Sequence, residues 1–322
     1  MAGMQGQDGA GVERGGPQPR TGKGGGGGRG PRQGAPVPGS GPRRFSPATA
    51  AFIAVAVVVL VVVALVVVKV ATGSKNNSAN NTTATGPTPA PAALVHQVTT
   101  VPDSVFAAVG VPSAIVAPKV AKGQTPLTAD GKPEALFIGA EYCPYCAAER
   151  WSMIVAFSRF GTFSGLDITN SSQYDVDPAT ATFSFRNTSF TSSLLTFTMV
   201  ENETNDTTGP GTRQVLQKTT TQQQNLWTKY SAQFGVQTGY PFLDIGNKVF
   251  VLGPAYNPQI LSGLDQSSIA AKLANPNDPV TQAIIGEANY ISAALCSVTG
   301  QQPAAVCSAS GTTEAAKAIG LS

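Results

Sequence analysis

Two cysteines three positions apart, Cys143 and Cys146 in the run Tyr142-Cys143-Pro144-Tyr145-Cys146, are the residues of this chain best suited to chemistry. At the first turn of a helix this spacing lets two thiols close a small disulfide ring, or open to a dithiol, with little backbone movement. Cys143 would stand at the helix N-terminus, where unpaired N–H groups and the helix dipole favour a thiolate. Cys146, one turn further in, would be more buried. The expected division of labour is that Cys143 attacks and Cys146 resolves the mixed disulfide. Two plainer readings compete: a purely structural disulfide, or half of a zinc site. Zinc needs two further ligands, and the chain offers only His96, Cys296 and Cys307. His96 reads as an ordinary loop residue, so no metal and no dissociable cofactor is expected.

The elements that must position the pair are a strand before it and a helix after it. Ala135-Leu136-Phe137-Ile138 is a short apolar run of strand type, fed by a turn at Asp130-Gly131. Gly139 to Glu141 makes the tight turn. Pro144 suits a first helical position, where its missing N–H costs nothing. The segment from Ala147 to Phe160 carries Trp151, Ile154, Val155 and Phe157, a helix apolar on more than one face and so packed against a sheet and partly covered. Arg150 and Glu141 read as solvent-facing charges; the alternatives are that Arg150, four positions after Cys146, returns over the site, and that Glu141 tunes Cys143 or relays a proton.

Further along, Thr238-Gly239-Tyr240-Pro241 precedes a strand-turn-strand pattern: Phe242 to Ile245, Gly246-Asn247, Lys248 to Leu252. A proline opening a strand costs no ladder bond, and an X-Pro bond is the one place where cis is cheap, although a trans turn proline fits as well. Between the two motifs lies a long connection, Leu166 to Asn225. It holds two expected strands (Thr182 to Arg186 and Leu194 to Val200), an exposed polar loop (Glu201 to Gly211), and then a helix from about Thr219 to Phe234. Its length marks it as an insertion facing substrate. Helices are expected over Val101 to Val109, Gln266 to Ala274 and Asp278 to Ala294. Cys296 and Cys307 close a short loop, which in an oxidising compartment reads as a structural disulfide; the functional rival is a second redox pair passing electrons to the first.

The stretch Glu134 to Leu166 (EALFIGAEYCPYCAAERWSMIVAFSRFGTFSGL), with Thr182-Phe183-Ser184-Phe185 and Pro241 to Lys248, resembles the membrane-anchored, thioredoxin-like proteins grouped as domain of unknown function 929. The resemblance covers most of Val95 to Leu295. It implies a thioredoxin-like fold and no established substrate. It also gives Pro241 the role of a cis-proline facing the cysteine pair, which would leave the backbone of Tyr240 to pair with an extended substrate segment.

The N-terminal part differs in kind. Residues 1–44 are Gly-, Pro- and Arg-rich with almost no apolar bulk, and are expected to be a disordered cytoplasmic tail. Residues 45–70 hold the uncharged run Ala48 to Val68, about 31 Å at 1.5 Å per residue, long enough for one bilayer span. Arg43 and Arg44 just before it put the tail inside and the rest outside. Residues 71–93 form a polar, then Pro/Ala-rich tether, and 94–322 the extracytoplasmic domain. Up to Val70 there are eight Lys/Arg against two Asp/Glu, leaving thirteen against sixteen for the remainder. The net charge of +3 therefore belongs to the tail, and no nucleic-acid partner is expected of the domain.

The sequence thus leads to an α/β, thioredoxin-like fold with an insertion, preceded by a single transmembrane helix and a disordered tail. The expected function is a single-pass plasma-membrane thiol-disulfide oxidoreductase. Its partners would be protein thiols or disulfides, a membrane redox protein that resets it, and the bilayer through one helix. The alternative is a non-catalytic surface binding module whose Cys143–Cys146 bond is only structural.

Overall fold

The computed structural model describes residues 86–321, so the expected tail (1–44), the membrane span (45–70) and most of the tether lie outside the described residues. Strand β1 (Thr88–Pro89) leads into helices α1 (Ala92–Thr99) and α2 (Asp103–Val109). Strands β2 (Lys119–Val120), β3 (Thr128–Ala129) and β4 (Lys132–Gly139) follow, then helix α3 (Pro144–Phe157). Four short strands, β5 (Thr162–Ser164), β6 (Asp167–Asn170), β7 (Ala181–Ser184) and β8 (Ser189–Thr191), separate α3 from β9 (Thr196–Glu201). Helix α4 (Thr221–Gln233) precedes β10 (Phe242–Ile245) and β11 (Val249–Leu252). A 3-10 turn (Pro258–Leu261) and helices α5 (Gln266–Lys272), α6 (Pro279–Val298), α7 (Ala304–Cys307) and α8 (Ser310–Ala318) complete the chain. Among the described residues no helix is long and apolar enough to cross a membrane.

The result is a mixed α/β architecture with several sheets. In the main sheet β4 is central: it runs parallel to β9 over Glu134–Gly139 and antiparallel to β10 over Ala135–Ile138. Strand β11 pairs β10, and β2 pairs β11 at the edge. A parallel pair needs a crossover, here supplied by α3 and the insertion after it. The insertion supplies β6, β7 and β8, which join β1 in a separate sheet, β1-β6-β7, and β5 in the pair β5-β8. At the start of β4 the turn expected at Asp130-Gly131 is present: both residues have positive φ (52° and 72°), as a two-residue hairpin turn of the primed kind requires.

Alternation along β4 divides the core. Ala135 and Phe137 join the cluster that contains residues of α3 and α6, whereas Leu136 and Ile138 join Trp227 and Tyr230 of α4. Helix α3 is buried on every side because a third layer covers it. Trp151 Nε1 donates to Ala181 O (2.9 Å) and Thr182 Oγ1 to Ala147 O (2.7 Å), tying the helix to β7. Around its C-terminal end the rings of Phe157 and Phe197 stack at 3.9 Å, with Phe163, Phe185 and Phe190 set edge-on or tilted around them.

Three local expectations differ from what forms. The chain joins the folded body before Leu94: Thr88–Pro89 pairs with Asp167 and Ile168, and proline is tolerated there because the strand is an edge. His96 lies exposed on α1 and not in a loop. The stretch expected as an exposed loop from Glu201 is instead held against the sheet, with Glu201 and Asp206 buried. The helices expected over 266–274 and 278–294 form as Gln266–Lys272 and Pro279–Val298.

Two carboxyls meet where α3 crosses α6. Glu149 and Glu287 are both buried, and none of their oxygens has a conventional hydrogen-bond donor. Burial pushes the Glu287 carboxyl up to about 7 and Glu149 well above the usual range, Glu287 adding to the effect on Glu149. Two carboxyls in this setting are held by retained protons. A raised carboxyl pKa stabilises the fold fully below the unfolded value of 4.5 and loses that contribution as pH climbs through about 7. Chemical denaturation of wild type and Glu287→Gln across pH 4 to 8 should show the variant gaining on wild type by up to about 3 kcal/mol as pH rises. A difference that does not vary with pH would exclude proton retention at this pair.

Candidate functional site

The site is built at the junction of β4 and α3. Gly139 ends the strand, and a Cβ there would stand 2.3 Å from the Phe137 ring and 3.1 Å from Cys146 Sγ, so only glycine lets the helix start come this close. Cys143 is the N-cap of α3, in extended backbone (φ −73°, ψ 121°), and its Sγ accepts the Cys146 N–H at 3.3 Å. Pro144 fills the first helical position as expected. Both cysteines are free thiols in this structure and both are buried, Cys143 at 5 % exposure and Cys146 at 0 %.

The two thiols differ electrostatically. Cys143 is held below its ordinary value, first by the hydrogen bond from the Cys146 thiol, then by the backbone N–H groups of Cys146 and Tyr145 and by Arg150, with burial opposing. Burial pushes Cys146 well above its ordinary value, and a charge on Cys143 pushes it further. A proton is therefore removed from Cys143 first, the order that attack and later resolution require.

Two charged residues expected at the surface are instead buried beside the pair. Arg150 makes a two-pronged ion pair with Glu201 at the end of β9 (Nε–Oε1 2.8 Å, Nη2–Oε2 2.7 Å), and Nη2 also donates to Ala140 O at 2.9 Å. Glu201 is further engaged by the Phe185 N–H at 3.3 Å. Glu141 is buried under the turn, accepting from Ser184 Oγ at 2.7 Å, with Arg186 at 4.0 Å; burial raises its carboxyl above the usual range. The reason is the third layer, β1-β6-β7, which roofs positions that an unroofed helix and turn would leave to water. Sequence reasoning did not find Glu201, whose only signal is its place at the end of a strand paired to Gly139.

The second motif comes to the same place. Phe242 is paired with Ile138, so the register carries Pro241 to the end of the sheet where Gly139 and Cys146 lie. The Tyr240–Pro241 bond is cis, as is Gln302–Pro303. The Tyr240 ring stacks on Trp227 (5.1 Å), stands edge-on to Tyr142 (6.3 Å), and its hydroxyl accepts from Asn202 Nδ2 (2.9 Å). Two segments of the insertion flank the cysteine turn: Ser172 N–H donates to Tyr142 O, and Glu141 N–H donates to Glu203 O. Arg213 covers the Tyr142 ring at 3.4 Å and is held there by Asp206 at 3.1 Å. Asn202, Trp227 and Arg213 carry no motif in the sequence and become visible only through these contacts.

Cys296 and Cys307 are joined by a disulfide at the end of α6, closing a separation of 11 residues. A loop of that size contributes about 3 kcal/mol in the chain-entropy picture. This pair belongs to the helical C-terminus. A cavity of about 520 Å³ opens at the opposite end of the sheet, between Lys122, Leu127, Asn247 and Leu321, and no residue of the cysteine turn lines it. Among the described residues no group of three or more His, Cys, Asp or Glu side chains is arranged as for a metal.

A family model described as Domain of unknown function (DUF929) matches residues 119–297, more than half of the chain and the whole span from β2 through the cysteine turn to Cys296. The chain belongs to this family. No curated protein and no solved structure matches it.

The inequality of the two thiols has a direct consequence. In the reduced protein at pH 7, iodoacetamide should label Cys143 at least tenfold faster than Cys146, read by peptide mass after timed quenching. Equal rates, or faster labelling of Cys146, would contradict the assignment of attacking and resolving sulfurs.

Proposed function

We propose that the domain is a thiol-disulfide oxidoreductase of thioredoxin-like fold, tethered to the outer face of the plasma membrane by the apolar run Ala48 to Val68. The observation that carries this reading is the asymmetry at the start of α3: Cys143 Sγ accepts a helix N–H while Cys146 lies behind it, fully enclosed. The element order supports the fold. A parallel β4-α3-β9 unit, followed by the antiparallel pair β10-β11 and then helices, is the order of a thioredoxin-like core, and the strands between α3 and β9 are the insertion.

The reaction is an exchange of disulfides. Cys143 thiolate attacks one sulfur of a protein disulfide; the S–S bond breaks, the other sulfur leaves as a thiolate, and a mixed disulfide forms. Cys146 then loses its proton and attacks Cys143 Sγ, releasing the second substrate sulfur. Two electrons have passed from the Cys143–Cys146 dithiol to the substrate, which leaves with two thiols once protonated. Run in reverse, the same steps oxidise a substrate dithiol. Tyr240 and Pro241, at the sheet end next to the pair, are the backbone that an extended substrate segment would meet.

The rival reading, a binding module with a structural bond between Cys143 and Cys146, draws on the burial of Cys143. The two differ in one step. A Cys146→Ser variant cannot resolve, so an exchanging enzyme should accumulate a mixed disulfide with oxidised glutathione or a disulfide-bonded peptide, seen as a mass increment lost on reduction. Absence of any adduct on a folded Cys146→Ser protein, under conditions that oxidise a free thiol peptide, would leave the binding module as the reading.

A further inference from the structure

Helix geometry sets Cys143, Cys146 and Arg150 along one stripe, since residues three and four apart are neighbours on a helix. Arg150 commits Nε and one Nη to Glu201 and Ala140, yet its other nitrogen, Nη1, is buried with no partner. An orphaned N–H group on a fully enclosed guanidinium is costly unless something negative comes to it. The groups around the cysteine turn that change or carry charge are Glu201 from β9, Glu141 and Tyr142 from the turn, Glu203 beyond β9, Tyr240 before β10, and the cations Arg186 beside Glu141 and Arg213 over the Tyr142 ring. Glu201 is already bound to Arg150. Burial favours the neutral form of Glu141, Tyr142 and Tyr240.

We propose that Arg150 is the charge that tunes the cysteine pair: its buried guanidinium, one nitrogen of which has no hydrogen-bond partner, lends positive charge to whichever sulfur is ionised, stabilising the reduced, thiolate-bearing form over the disulfide. Glu201 sets how much of that charge the sulfurs feel, by holding the guanidinium and offsetting it. The interaction of Arg150 with both cysteines lowers the cost of ionising each. The inference rests on the exchange reading for its purpose, but its physical content, a guanidinium acting on two sulfurs, stands apart from whether any substrate is turned over. Arg150 touches no substrate; it acts through the cysteines.

Two variants move the charge in opposite directions. Arg150→Met combined with Glu201→Gln removes the ion pair as a unit and leaves no buried lone charge. Glu201→Gln alone keeps the guanidinium and removes its counter-charge. Each is measured in the full-length protein by the pH profile of Cys143 alkylation and by the dithiol-disulfide equilibrium against glutathione, with far-UV circular dichroism to establish folding. The double variant should need a pH about one unit higher for half-maximal alkylation, and its equilibrium should move about tenfold toward the disulfide. Glu201→Gln should shift both readouts the other way, and Arg150→Lys should stay nearer wild type than the double variant. Unchanged profiles in either folded variant, or shifts of the same sign in both, would overturn the proposal. A wild-type protein that never exchanges with glutathione, but whose variants still shift the alkylation profile in opposite directions, would support Arg150 and remove only the exchange reading.

Discussion

A helix whose first turn is buried must satisfy its leading N–H groups without water. Helix α3 starts at the buried end of β4, and the acceptor that meets its Cys146 N–H is a sulfur, not the hydroxyl or carboxylate usual at such a position. That single substitution of chemistry fixes much of what surrounds it. Gly139 has to lack a side chain so that the helix start can approach. Pro144 can follow because the N–H it lacks had no partner to find. The neighbouring thiol is pressed into the interior, where burial keeps its proton on.

Burial of the helix on all sides also accounts for the charged residues inside the molecule. A chain with only 12 % charged residues nevertheless encloses Arg150, Glu201, Glu149 and Glu287 around α3. They are made tolerable in two ways. Arg150 and Glu201 compensate each other by a two-pronged ion pair, whereas burial keeps the protons on Glu149 and Glu287 to higher pH. Neutral carboxyls can sit between helices at modest cost, but a charged pair beside two sulfurs alters the sulfurs.

Short-range features were legible in the sequence. The strand before Cys143, the helix after it, the primed turn at Asp130-Gly131 and the hairpin from Phe242 to Leu252 all follow from period and turn chemistry over fewer than about ten residues each. The disulfide between Cys296 and Cys307 was likewise legible, as two cysteines a short loop apart. What depended on the third layer was not. Arg150 and Glu141 carry no local sign of burial, because the layer that covers them, β6 and β7, is built from segments some twenty to forty residues later. Glu201 had the look of the first residue of a polar loop, and only its pairing with Gly139 across the sheet makes it the last residue of a strand and a partner for Arg150.

The central claim is that Cys143 and Cys146 form a reversible couple and not a permanent cross-link. The most direct measurement is their reduction potential in the full-length protein in detergent micelles, equilibrated with glutathione mixtures and read by alkylation of the remaining thiols. The account predicts a value between about −120 and −270 mV, the range of exchange catalysts, displaced toward the oxidising end by the positive charge of Arg150. A value below about −300 mV would mark a structural disulfide and contradict it.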